Sequence, residues 1–518
     1  MTAIMKNTWI LLQAALLIML VSCNLDVAPA DSLTGDQMAD ATTGLEDIIN
    51  GCYTIFKDEQ TDFTNSWYLR QYFQMSDFSC DDVTYGWGTE DNLHMIFVYD
   101  ERDASLDNFT AFWTANYSLI YAANVGINLA NQKEEDVDVL HLKAEAMFLK
   151  AFALHNLVRY YALPYSSSTA DSPGVIIRED YIDTENKARA TIGETYDYIL
   201  ELLLEAESIF EEAQDCSRSS EKGYVSLGAC RALLCRVYLY LQEWDNCISY
   251  ASIIIDSGEY TLASPTEYPT YFRNAPSQSE TIWCVRMVTA DDHDSGSIAS
   301  MIMTSGDGCW GEEGYSPSLL SDMGYDDTEL READSRFSYV EEPNVNSSNI
   351  TLYPCSKFSW QDDIKTLSSP VMFRLSEIYL NRAEAYAHKG NESSALADAN
   401  TIREARIIPP DGKTIDDFFY TSDDVTSSSI IDVVLKERRI ELCFEANRFF
   451  DLRRNGMDIV RNYWGYQLPS FTPGQNTSTL PGLSVEGVVT DADYSRLVFP
   501  IPNTEIINNP LCEQNEGY

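Results

Sequence analysis

The segment PVMFRLSEIYLNRAEAYAHKGNESSALADANTIREAR, residues 370–406, limits what this chain can fold into more than any other stretch. Phe373, Ile378, Leu380, Ala383, Ala385 and Tyr386 fall at helical spacing, and Lys389-Gly390-Asn391 ends the run where the backbone needs a left-handed residue. Ala395, Leu396, Ala399, Ile402 and Ala405 then recur at three- and four-residue steps. Two short helices joined by so tight a turn lie antiparallel, and their alanines let the backbones approach closely. The same design recurs at 225–255. Leu227, Leu234, Val237, Tyr238 and Leu241 make a first helix, Gln242-Glu243-Trp244 a turn, and Asn246 to Ile255 the return. Setting Tyr238 against Tyr386 places Ala251 against Ala399. A hairpin repeated in this way predicts a mainly α protein whose scaffold is made of tetratricopeptide-like (TPR-like) hairpins in an α-α superhelix, with long irregular loops and a few short strands.

The amino terminus carries an address. Lys6 precedes an uncharged apolar run from Trp9 to Val21, too short to span a bilayer, which predicts a signal peptide over 1–22. The run ends in Leu20-Val21-Ser22-Cys23, which resembles the bacterial lipobox and marks Cys23 for lipidation. Residues 23–40 are polar and rich in turn formers, as suits a flexible tether. The rest is expected to form an N-terminal region, 41–260, packed as one compact unit with a C-terminal region, 261–518. With 45% hydrophobic residues it can bury a large core. The 81 acidic residues against 35 basic ones give a net charge of −46, a field that repels nucleic acid and favours neutral or cationic partners.

Metal and catalytic chemistry find little support. Apart from Cys23, eleven cysteines remain, with no C-x-x-C pair and only five histidines in the chain, so no zinc site and no cofactor are expected. Cys230, Cys235 and Cys443 fall in helical patterns and read as small buried side chains; an odd number leaves at least one thiol unpaired, and spacing does not reveal any pairing. Asp81-Asp82 invites a structural calcium ion but lacks the alternating-ligand loop, so it reads as a solvated acidic loop. His141 and His155 lie too far apart along one helix to share a metal. Glu441 and Glu445, one helical turn apart, imitate a glycosidase pair, yet Lys436, Arg438, Arg439 and Arg448 beside them predict ion pairing. Arg374, Glu377, Arg382 and Glu384 likewise read as salt-bridge residues of the hairpin. No G-x-S-x-G, H-E-x-x-H or P-loop pattern occurs, so no catalytic residue is assigned and the chain is not expected to be an enzyme.

Elsewhere the pattern predicts helices over 42–56, 109–131, 137–161 and 199–210, the last preceded by a capping box of Thr191 and Glu194. Residues 67–107 mix aromatics, acids and glycines with no lasting period and read as a long ordered loop region. Helical periodicity fades again over 258–369, apart from a strand at 281–287, and a single strong helix is expected from Ser429 to about Arg454. Three segments, RLSEIYLNRAEAYAHKGNESSALADANTIREAR (374–406), VVLKERRIELCFEANRFFDLRR (433–454) and FPIPNTEIINNPLCEQNEGY (499–518), closely resemble in this order the carboxy-terminal signature of the SusD/RagB family. AEAMFLKAFALHNLVRYYALPY (144–165) resembles the family's amino-terminal helix. The resemblance implies a surface-exposed outer-membrane lipoprotein that binds a nutrient, usually a glycan, and acts as the lid of a SusC-like TonB-dependent transporter. A peptide or other non-sugar nutrient in the same complex, and a glycoside hydrolase suggested only by abundant carboxylates, are the alternatives.

A sugar presents apolar C–H faces and a rim of hydroxyls, so its binder needs flat aromatic rings and short polar side chains on loops. Trp87 with Asp82, Tyr85 and Asn92 makes one candidate ligand cluster, and Trp310 with Tyr315 and Asp307 another. Trp360, Trp67 and Tyr72 are further candidates. Trp87 and Trp310 stand out because nearby glycines leave their rings room.

Overall fold

The computed structural model describes residues 43–57, 68–85, 92–97, 99, 102–345, 351–461 and 488–518. The chain divides into two compact units, 1–47 and 48–518. Of the first, residues 43–47 are described, where the helix Gly44–Lys57 begins. The expected signal peptide, Cys23 and the tether lie outside the described residues.

Among the described residues of the second unit, its scaffold is carried by nine helices: α1 (Asp107–Ala130), α2 (Val137–Tyr161), α3 (Ile192–Glu212), α4 (Leu227–Tyr240), α5 (Trp244–Ser257), α6 (Leu375–His388), α7 (Glu392–Glu404), α8 (Ile430–Leu442) and α9 (Arg448–Arg454). From α1 to α7 each packs on the next, and α8 lies against both α6 and α7. The two hairpins match closely: Leu227 and Leu375, Tyr240 and His388, and Trp244 and Glu392 each stand 148 residues apart and mark the same helix boundaries. Both turns pass through a left-handed residue at the equivalent place, Gln242 (φ 60°) and Gly390 (φ 72°). Ala251, Ala383, Ala385 and Ala399 are fully buried, which is the close approach their size permits. The Thr191–Glu194 capping box forms as expected, at 3.1 Å and 2.8 Å.

Charged residues knit the hairpins together. Glu377 on α6 accepts two hydrogen bonds from Arg236 on α4, both at 2.7 Å, and Arg382 reaches Asp398 on α7 at 2.8 Å. Glu384 takes the guanidinium of Arg454 on α9. Glu441 and Glu445 are ion-paired and buried, but not with the neighbours the sequence offered. Glu441 meets Arg374 and, at 2.8 Å, Arg406; Glu445 meets Arg374 at 2.8 Å and Lys357 at 2.7 Å. Arg438 instead pairs with Asp451, and Arg439 and Arg448 reach back to Asp82 and Asp81.

Among the described residues, four two-stranded antiparallel ladders decorate this scaffold: β1 (Val83–Tyr85) with β3 (Glu313–Tyr315), β2 (Thr281–Cys284) with β6 (Val371–Arg374), β4 (Asn344–Val345) with β5 (Thr351–Leu352), and β7 (Ile459–Arg461) with β8 (Val488–Thr490). β2 plants Trp283 in the core, with the rings of Phe56, Phe148, Phe152 and Phe373 at 5.2 to 6.1 Å.

Two expectations are corrected. Residues 67–107 are not all loop: Tyr68–Asp77 is a helix, and Asn92–Phe97 a shorter one. All ten residues of the first are buried, including its polar stripe of Arg70, Gln71, Gln74 and Asp77, and at ten residues its helical period is too brief to stand out from the loop-like sequence around it. The expected helix from Ser429 to Arg454 breaks after Leu442, where Phe444 and Ala446 are left-handed. The buried Lys357 ammonium donates to the carbonyls of Glu441 and Cys443 there, and Arg374 donates to Glu441, so side chains satisfy the freed end. The eleven cysteines from Cys52 to Cys512 are buried thiols.

Candidate functional site

The β2–β6 ladder fixes the root of a loop cluster. Beyond β2, Val285 donates to Pro370 O at 2.9 Å and Met287 to Ser369 Oγ at 2.9 Å. Gln361 spans the root: its amide nitrogen donates to Met287 O and its amide oxygen accepts from Ser369 Oγ, at 2.7 Å and 2.8 Å. Thr366 Oγ1 donates to Asp292 Oδ2 at 3.1 Å, drawing the segment after β2 against the one before β6. Between them remains a cavity of about 20 Å³, room for about one water. The cluster therefore presents a surface and not a deep pocket.

Two tight turns crown it. At Gly306-Asp307-Gly308-Cys309 the outer residues exchange hydrogen bonds at 2.9 Å and 3.1 Å, while Asp307 and Gly308 have φ of 50° and 86°. Positive φ at both central residues defines the hairpin turn that favours an Asp-Gly pair. Glycine suits this backbone, and a Cβ on Gly308 would lie 2.2 Å from Asp294 Oδ1 and displace that exposed carboxylate. The second turn, Gln361-Asp362-Asp363-Ile364, has the same form with φ of 53° and 61° but no glycine. Of the eight non-glycine residues with positive φ among those described, Asp294, Asp307, Trp360, Asp362 and Asp363 lie in this cluster. Such conformations cost on the order of 1 kcal/mol each and concentrate at functional sites.

Each turn carries a tryptophan. Trp310 follows the first and is 51% exposed, with its indole N–H donating to Ser295 O at 3.2 Å. Trp360 precedes the second at φ 64° and is 37% exposed. Lys365 ties the two turns side by side: its carbonyl accepts from Trp360 N, and its ammonium donates to Thr304 O and Gly306 O, both at 3.0 Å. Neither indole makes a ring or cation–π contact among the described residues. The larger cavities differ. One of about 410 Å³ beside α8 includes Tyr420, whose ring Arg403 covers at 4.5 Å; another of about 320 Å³ includes Tyr224, covered by Arg218 at 3.5 Å.

The remaining expected ligand residues fall elsewhere. Trp87 and Trp67 lie outside the described residues, as does the side chain of Asn92, which opens the helix Asn92–Phe97. Tyr85 is not on a ligand surface: it is buried in β1 with its ring against Phe78 and Phe97. Tyr315 is buried in β3, its ring edge-on to Phe444 and its hydroxyl 3.4 Å from Cys355 Sγ, so it does not join Trp310. Tyr72 is buried too. Asp82 accepts from Arg439 Nε at 2.7 Å and is interior, not part of a solvated loop. Burial and the adjacent Asp81 charge raise the Asp82 pKa to about 6 against the pull of Arg439. Burial opposes ionisation of Asp81 as well, yet Arg439 and Arg448 hold its carboxyl well below the usual range. Cys80, Asp81 and Asp82 have ligand atoms near one another, but both carboxylates are taken by guanidinium groups. Sequence reading missed Lys365, Asp362 and Asp363, although an Asp-Asp pair just after Trp360 signals a turn.

Known proteins share this architecture. A family model described as "SusD family" matches residues 311–518, and one described as "Starch-binding associating with outer membrane" matches 25–239. SusD-like protein P2 of Formosa agariphila is 22% identical, across 97% of this chain and 98% of its own. Starch-binding protein SusD of Bacteroides thetaiotaomicron is 30% identical over a stretch covering 28% of this chain and 21% of that protein. The crystal structure of a SusD superfamily protein from Bacteroides thetaiotaomicron superposes with a TM-score of 0.74 at 25% identity, covering 93% of this chain and all of the other. Two family matches that together span residues 25–239 and 311–518, a relative matched along its whole length and a shared mainly helical fold lead to one conclusion: the chain belongs to the SusD/RagB family.

Proposed function

We propose that this protein is an outer-membrane lipoprotein, anchored through Cys23 and facing outward, that binds a glycan on the loop face bearing Trp310 and Trp360 and passes it to a SusC-like TonB-dependent transporter as its lid. One observation carries the binding role: two exposed indoles, with no ring or cation–π partner among the described residues, stand on adjoining turns fastened by Lys365. An indole offers a flat apolar face for a sugar's C–H groups, and exposed carboxylates and backbone groups nearby supply acceptors and donors for hydroxyls. The match to a starch-binding, outer-membrane-associated family and the stretch shared with starch-binding protein SusD support the ligand class and location. The role is binding without turnover. In support, Glu441 and Glu445 are buried among arginines and Lys357 and are closed to substrate. Cofactor and calcium have no part in this reading, since Asp81 and Asp82 already hold guanidinium partners.

Binding of the chain from residue 24 onward to a broad panel of neutral and acidic polysaccharides tests the proposal, with Trp310→Ala and Trp360→Ala alongside. The expected outcome is one bound glycan class, no released product, and at least tenfold weaker binding for either variant at unchanged thermal stability. Product release, or binding indifferent to both substitutions, contradicts it. Co-purification of the lipidated protein with a large outer-membrane barrel tests the transporter role separately.

A further inference from the structure

The same face bears on the charge of its ligand, an inference that rests on the glycan-binding reading above. The exposed titratable groups beside Trp310 and Trp360 are acidic: Asp294, Asp307, Asp362 and Asp363, with φ between 48° and 61°. The cations of these segments are already engaged. Lys365 gives its ammonium to two carbonyls. Lys57 pairs with Asp291 at 3.2 Å, and Arg70 is buried, donating to Gln74 and to Met301 Sδ. Arg286 lies 3.7 Å from Glu221. A carboxylate or sulfate on a sugar seated against either indole would be repelled by these neighbouring carboxylates, screened only over a Debye length of roughly 8 Å at physiological ionic strength, and no unengaged lysine or arginine among the described residues of these segments offsets them. A sugar hydroxyl meets no such cost and donates to those carboxylates.

We infer that the turns at Asp307-Gly308 and Asp362-Asp363 act as a charge filter, admitting glycans that carry no negative charge and rejecting uronate- and sulfate-bearing ones. The local charge thus acts in the same direction as the chain's net charge of −46, and the test separates the two.

Whichever neutral polysaccharide binds from a set of glucans, galactans, mannans and xylans is compared with its carboxylated or sulfated derivative on the same backbone. The derivative is expected to bind at least tenfold more weakly, with the gap narrowing as salt rises from about 50 to 500 mM. In the double variant Asp362→Asn, Asp363→Asn the ratio of derivative to neutral affinity is expected to rise at least threefold. Asparagine tolerates the left-handed backbone, so the turn is kept. A derivative that binds as tightly as its neutral parent and loses that binding in Trp310→Ala overturns the filter while leaving the glycan site standing, and an unchanged ratio in the double variant overturns it too. Binding untouched by Trp310→Ala and Trp360→Ala overturns the site itself, and the filter with it.

Discussion

Glu313 and Glu441 are both fully buried glutamates, and their surroundings treat them in opposite ways. Burial opposes ionisation of Glu441, yet Arg406, Arg374 and Arg336 hold its carboxyl well below the usual range. Glu313, in β3, has both carboxylate oxygens buried with no hydrogen-bond partner among the described residues, and burial with the Asp77 charge behind it pushes its pKa well above normal. The consequences for stability have opposite sign. A depressed carboxyl contributes stability above its unfolded value, near pH 4.3, that is lost as pH falls through the folded value; a raised one contributes stability below pH 4.3 that is lost as pH rises. Glu313→Gln is therefore expected to raise unfolding stability at pH 8 by about 1 kcal/mol or more, with the gain shrinking toward pH 4, in urea titrations across that range. A loss of stability at pH 8 contradicts this account of Glu313. Such differences escape sequence reading. Asp82 and Asp307 both sit among glycines and aromatics, and what separates them is Arg439, which lies 357 residues beyond Asp82 and turns it into a core ion pair.

At the scale of elements, the hairpins were readable because local rules and tertiary packing agree there. Boundaries 148 residues apart and a left-handed residue at each turn follow from spacing and from Gly390 alone. A Cβ on Gly390 meets nothing within 4 Å, so Gly390→Ala tests the backbone and nothing else. It is expected to cost about 1 kcal/mol in urea unfolding, whereas Gln242→Gly, at the equivalent place, is expected to cost nothing. Equal losses at both positions would contradict the equivalence of the turns. Tyr68–Asp77 was missed because its period, carried by Arg70, Gln71, Gln74 and Asp77, lasts only ten residues, and because burial of that polar stripe runs against what such a stripe implies. The break between α8 and α9 was unreadable because its cause, Lys357 and Arg374 donating to end carbonyls, comes from residues far away in sequence.

Across the molecule, the segments that carry the family resemblance meet in one place. Tyr160 of α2 packs against Phe450 of α9 and Phe499 of the tail, with ring centroids 4.8 Å and 5.5 Å apart; Asn515 donates to Tyr161 O and Phe499 O. Arg374 and Arg406 flank Glu441. Those segments build the scaffold, which is why the fold was legible while the proposed ligand face, set on turns between β2 and β6, was legible only in Asp307, Trp310 and Trp360. The measurement that bears most directly on the central claim is hydroxyl-radical footprinting, with and without a saturating concentration of the tightest-binding oligosaccharide from the neutral panel. Trp310 and Trp360 are expected to oxidise in the free protein and to be protected at least threefold by ligand, while half-buried Trp244, stacked on His388, is unchanged. Protection that spares both tryptophans and appears elsewhere on the chain would place the glycan site on another surface and contradict the account.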